Sequence, residues 1–271
     1  NSVVVGGAHN TASADSAVAV GGAYNTASGD NSAAFGGNGN EASGAGSATV
    51  GGYENVAKGK NAAAFGGNDN EAIGDVSVTI GGYGNTASGD RAVTIGGQGN
   101  IAGDYSVTLG GLANTASGDV SVTLNGFGNT ADGIGSSVLG GGYFDRSDMT
   151  AIYGENVANG NSSIIVGGMN NTTAEGATNA AVVGGAGNTA TGNSSLVLGG
   201  GYVSLDLDEE SGTYVKTTIA AENNAEGKGS VILGGAKNLT TAASSNSVVV
   251  GGLNNTASGD YSAVFGGVIN K

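Results

Sequence analysis

The chain has 271 residues, of which 56 are Gly and none is Pro, Cys or Trp, and it carries a net charge of −14. The charge disfavours nucleic acid and anionic membrane surfaces as partners, and the lack of Cys rules out a disulfide framework. Only 5% of the chain is aromatic, so no large conventional core can form, yet its recurring Val, Ile, Leu and Phe argue against disorder.

The first predicted element is a short strand, Val3-Val4-Val5, closed by Gly6-Gly7. Asn10 follows four residues after Gly6, then a second short strand and a turn, and the pattern restarts at Val20-Gly21-Gly22. Six consecutive steps from Gly6 to Gly96 are 15 residues each, and sixteen such marks run to Gly266 with small changes of step and two insertions. A supersecondary unit repeated this strictly is a solenoid. Each rung is expected to hold two short strands and two turns, the second turn reading Ser-Gly-Asp as in Ser28-Gly29-Asp30 and Ser88-Gly89-Asp90. Asn25, Asn40, Asn55, Asn70, Asn85 and Asn100 continue the Asn column, whose amides are placed to hydrogen-bond from rung to rung.

With the first Gly of each pair as position 0, position −1 is always apolar, position −3 is apolar except at Ser137, and position −4 is Ser or Ala. A period of two puts −1 and −3 on one face of the strand, and this face is expected to close the coil's own core. Position −2 is never charged in sixteen rungs. It includes Thr79, Thr94, Thr108, Thr123, Val182, Val197 and Val249, which are therefore the expected contacts between copies of the chain.

The first insertion lies at about 142–154, in a step of 27 residues, and the second at about 201–221, in a step of 35. Both leave after Gly-Gly-Gly-Tyr, and insertions at one phase of a solenoid project from one face. The second reads as a hairpin. Candidate ligand contacts are Tyr143, Phe144, Arg146 and Tyr153 in the first and Leu205, Asp206, Asp208, Glu209, Glu210, Tyr214 and Lys216 in the second, since aromatics and Arg dominate hot spots. The same residues would equally brace a neighbouring chain.

The repeats, of the form Ser-Val-x-Ile/Leu-Gly-Gly-x-x-Asn-Thr-Ala-Ser-Gly-Asp, resemble the head domains of trimeric autotransporter adhesins, closest to the ubiquitous surface protein A type and similar to the Yersinia adhesin head. The resemblance covers the chain apart from the insertions. It implies a single head domain over 1–271, folded as an all-β, left-handed parallel β-roll. It further implies a homotrimer displayed on a bacterial outer membrane, which attaches to host matrix proteins, host receptors or other cells. Stalk and anchor motifs are not found, so the chain reads as a segment of a longer protein, attached to the membrane only through those regions.

Weaker signals remain. Asp75, Asp90, Asp104 and Asp119 recur at the second turn and read as a solvated turn rather than a Ca²⁺ site. Tyr53, Tyr83, Leu112, Phe127, Met169 and Leu253 recur after the Gly pair. His9 is the only His, and no catalytic constellation, metal-ligand set or cofactor motif is named. The alternatives to an adhesin are an ice-binding solenoid, for which Thr79, Thr94, Thr108 and Thr123 would form the ladder, and a tailspike-like solenoid acting on polysaccharide.

Overall fold

The computed structural model describes residues 1–144, 152–201, 203–208, 213–219 and 222–271. Among these every regular element is a β-strand. The chain divides into two compact units, Asn1–Asn125 and Gly126–Lys271, and each is a parallel β-solenoid.

In the first unit nine three-residue strands, from Val3–Val5 to Val122–Leu124, pair in sequence order. Val78–Ile80 lies between Ala63–Phe65 and Val93–Ile95, with Thr79 opposite Ala64 on one side and Thr94 on the other. Two-residue strands form a second parallel ladder, as where Glu71–Ala72 pairs with Thr86–Ala87. The second unit repeats both ladders, with seven three-residue strands from Ser137–Leu139 to Ala263–Phe265. In both parallel ladders of each unit the paired residues are equivalent repeat positions, so each column of the sequence is a physical stack at the parallel-strand spacing of about 4.8 Å.

A third ladder, one residue wide, runs two residues after the first Gly. It links Tyr53 to Asn68, Asn68 to Tyr83 and Tyr83 to Gln98 by isolated parallel bridges. The two glycines that precede it do different work. Gly81 (φ +62°) has open space where a Cβ would sit, whereas a Cβ on Gly82 (φ +82°) would collide with the Asn85 amide and the Gly97 carbonyl. The first position therefore needs only positive φ, and Asn125 fills it at φ 53°. Asn is the non-Gly residue that tolerates this region best.

The Asn column closes the first turn from inside. Asn85 is fully buried. Its Nδ2 donates to Asn70 Oδ1 (3.1 Å), Gly81 O (3.3 Å) and Gly97 O (3.3 Å), and its backbone N–H donates to Asn70 Oδ1 (3.0 Å). Each rung thus satisfies the amide of the next, which a buried polar group requires. At the second turn the Asp carboxylates do a related job. Asp75 accepts from the Lys60 N–H (2.8 Å), Asp90 from the Asp75 N–H (3.0 Å) and Asp104 from the Asp90 N–H (2.9 Å). In the second unit Asn161 and Asn193 accept equivalent bonds, so a neutral amide oxygen serves there as well as a carboxylate.

The lumen of each coil is narrow and lined by small side chains. In the second unit Val138, Ile165, Val182, Val197, Ile232 and Val249 join Ala131, Ala158, Ala190 and Ala225 in one buried cluster. The first unit has only separate clusters of Ala, such as Ala57, Ala62, Ala64 and Ala72. Its Thr49, Thr79, Thr94, Thr108 and Thr123 hydroxyls are buried and make no hydrogen bond among the described residues. In the second unit, where Thr replaces an inner Ala, the hydroxyl pairs instead: Ser163 with Thr173 and Ser230 with Thr240, each at 2.7 Å.

Candidate interaction surface

The strand faces are the reverse of the sequence expectation. Thr79, Thr94, Thr108, Thr123, Val182, Val197 and Val249 are all 0% exposed in the isolated chain. They lie inside their own coil and are not a surface between copies. The reason is size. A coil of about 15 residues encloses a lumen that accepts Ala, Ser, Thr, Val, Ile and the flat Asn amide, whereas Phe and Leu stand outside. The absence of Phe and Leu from position −2 in sixteen rungs was the signal that would have found this. The buried Thr run also cannot serve as an ice-facing ladder.

The outward face of the long strands carries positions −1 and −3. Phe35, Val50, Phe65, Ile80 and Ile95 stack on one another in register, each exposed by 39–42%. Half-buried Ala33, Ala48, Ala63, Val78 and Val93 form the companion column. In the second unit Leu139, Val166, Val183, Leu198, Leu233 and Val250 continue the same pattern. Neither column contains a charged residue. A few tens of Å² per side chain over the successive rungs of one unit adds up to about the several hundred Å² of the largest apolar patch on a typical soluble monomer, a size that often marks a functional surface.

The single-residue ladder beside it is more mixed. Tyr53, Tyr83 and Leu253 are exposed, Leu112, Phe127 and Met169 half-buried, and Asn68 and Gln98 alternate with the tyrosines. The Tyr53 hydroxyl has its pKa raised, first by a hydrogen bond to Glu54 and then by that carboxylate's charge.

Both insertions branch from this ladder. Gly142 and Gly201 occupy its register, donating to Gly168 O (2.9 Å) and Gly235 O (3.0 Å). A Cβ on either would strike a carbonyl of the preceding rung, Phe127 O or Ala186 O, so the third glycine of each Gly-Gly-Gly is needed for the exit. Tyr143–Phe144 pairs antiparallel with Ile152–Tyr153, and Val203–Asp208 with Thr213–Ile219. This places Tyr143 opposite Tyr153, Phe144 opposite Ile152, Leu205 opposite Lys216, Asp206 opposite Val215 and Asp208 opposite Thr213, with Tyr214 opposite Leu207. Arg146, Glu209 and Glu210 lie outside the described residues.

His9 stacks on Tyr24, ring centroids 4.9 Å apart, on the exposed first turn. Among the described residues no group of three His, Cys, Asp or Glu side chains is placed to hold a metal ion. Comparison of the chain with protein-family models and with curated proteins finds no match.

Proposed function

We propose that this chain is the head segment of a bacterial surface adhesin of the trimeric autotransporter kind, with no catalytic role. Three copies pack their long-strand faces together, and the remaining surface and the two hairpins meet host matrix proteins, receptors or other cells. The observation that carries this reading is the uncharged apolar ladder on the outer face of the long strands, exposed or half-buried at position −1 and half-buried at −3. Such a face is covered by burial against its own kind, and a closed ring of copies covers it without leaving an open edge. Left-handed winding, outer-membrane display and attachment through other segments follow from the repeat resemblance.

Sedimentation equilibrium is expected to return three times the chain mass. The double variant Ile80→Asp/Ile95→Asp is expected to return a single chain with its β-type circular dichroism retained. A wild-type chain that stays single at micromolar concentration would overturn the assembly. Attachment is tested on immobilised matrix proteins and host cells, with the intact chain against one in which each hairpin is replaced by a plain rung. No attachment by the intact chain would sink the adhesin reading.

A further inference from the structure

We infer that the second turn of four consecutive rungs in the first unit, centred on Val76 and Arg91, is a binding site for a terminal saccharide of a glycan. The residue after the turn Asp position holds positive φ in every rung from Ser16 to Tyr261. Elsewhere it is Ser, Asn or Gly, types that accept this conformation or are small, as at Ser16, Asn31, Gly46 and Asn61; the one exception among the described residues is Tyr261 (φ 57°) in the last rung. In rungs six to nine it is Val76 (φ 61°), Arg91 (56°), Tyr105 (56°) and Val120 (60°). A β-branched residue is strained there, and the coil returns nothing for the strain, because Val76, Tyr105 and Val120 are 47%, 51% and 59% exposed and Arg91 is also exposed. Strain that folding does not require points to selection for contact with something else.

The surroundings say what chemistry fits. Lys60, Asn61, Asp75, Val76, Asp90 and Arg91 line one shallow open depression. Lys and Arg supply only donors, the carboxylates only acceptors, and Asn both. Asp75 and Asp90 each give one oxygen to a backbone N–H, and the other can accept from a ligand. Arg91 is held ready, its guanidinium carbon 5.0 Å from the Tyr105 ring centre and Nη1 donating to the Tyr105 hydroxyl. Among the described residues Arg91 makes no ion pair, although Asp75 and Asp90 line the same depression. Donors and acceptors of both signs around one exposed aliphatic side chain suit a sugar ring, which presents hydroxyls at its rim and C–H groups on its face. A peptide strand suits it less well. Its same-face side chains recur at about 6.8 Å, twice the rise per residue, against a rung spacing of about 4.8 Å.

This inference rests on the adhesin reading for its biological setting, and its test is separate. Saturation-transfer NMR is run on the whole chain with N-acetyllactosamine and 3′-sialyllactose, beside the triple variant Val76→Asn/Arg91→Asn/Tyr105→Asn. Asn already stands in this column at Asn31 and Asn61. The variant should therefore melt no lower than wild type, and the saccharide signal should fall at least fivefold. A lower melting temperature would assign these residues to folding and overturn the proposal. Equal saccharide signals in both proteins, or none in wild type, would also overturn it. If wild type shows no saccharide signal but still attaches to matrix protein or cells, the ridge assignment fails while the adhesin reading stands. Loss of that attachment in the triple variant would then assign the ridge to a protein partner.

Discussion

Replacing Thr79, Thr94, Thr108 and Thr123 together by Val should stabilise the first unit. The four hydroxyls stack in neighbouring rungs, are wholly buried and find no partner among the described residues. An unpaired buried hydroxyl costs about 1–3 kcal/mol, and Val keeps the β-branched shape of Thr. The second unit already holds Val or Ile at this column in Val138, Ile165, Val182, Val197, Ile232 and Val249, so the backbone accepts the substitution. A gain of about 1 kcal/mol per site is expected. Direct neighbours couple, so the sum should fall short of strict additivity, at roughly 2–4 kcal/mol. Native-state hydrogen exchange is the assay, because a solenoid's stability is close to a sum over rungs and their interfaces. In wild type, backbone amides of Val78–Ile80 and Val93–Ile95 should exchange faster than those of Ile164–Val166 and Val231–Leu233. In the variant the gap should close. Faster exchange at Val93–Ile95 in the variant would show that the hydroxyls contribute stability, and the reasoning would fail.

Gly81→Asn should leave the melting temperature within about 2 °C, whereas Gly82→Ala should lower it markedly, since only the second glycine faces the Asn85 amide and the next rung's carbonyl; equal effects would refute the division of labour. Asn85→Ala removes the donor to three oxygens and the acceptor for the Asn100 N–H and should cost about 2–4 kcal/mol in urea unfolding; a cost below about 0.5 would mean the column is not structural. Glu54→Gln should bring the Tyr53 titration down toward the ordinary phenol value, because Glu54 is the first cause of its raised pKa; an unchanged titration by ultraviolet absorbance would contradict that cause.

Much of this architecture is legible in the spacing of a few residue types. The Gly pair and the Asn four residues on give the rung, and the parallel ladders keep equivalent positions opposite one another. The exits of both hairpins are legible as a third glycine. Which strand face points inward is not legible from polarity, because Thr94 and Ile95 are both uncharged and so are their columns. Volume separates the columns rather than these two residues: the inward one admits Ile165 and Ile232 but no Phe or Leu, whereas the outward one holds Phe35, Phe65 and Leu198. The one-residue ladder at Tyr53 and Tyr83 carries no period of two, so no alternation announces it. The ridge at Val76 and Arg91 is legible only once the sign of φ is known: the 15-residue period puts Val76 in the column of Asn61, but nothing in the sequence says that this column holds positive φ.

The exact repetition that makes the columns also makes the chain ambiguous to itself. Over the six equal steps from Gly6 to Gly96, a strand docked one whole rung out of place would meet Asn with Asn, Gly with Gly and Ala with Ala. Such a displaced chain is a deep trap, since nearly all ladder bonds survive in it. The 14-residue step from Gly96 to Gly110, the two hairpin exits at Gly142 and Gly201 and the 17-residue steps from Gly167 to Gly184 and Gly234 to Gly251 are places where a displaced chain cannot match. They act as the marks on a ruler, and a protein with those irregularities tidied away should reach its native register more slowly than the untidy one.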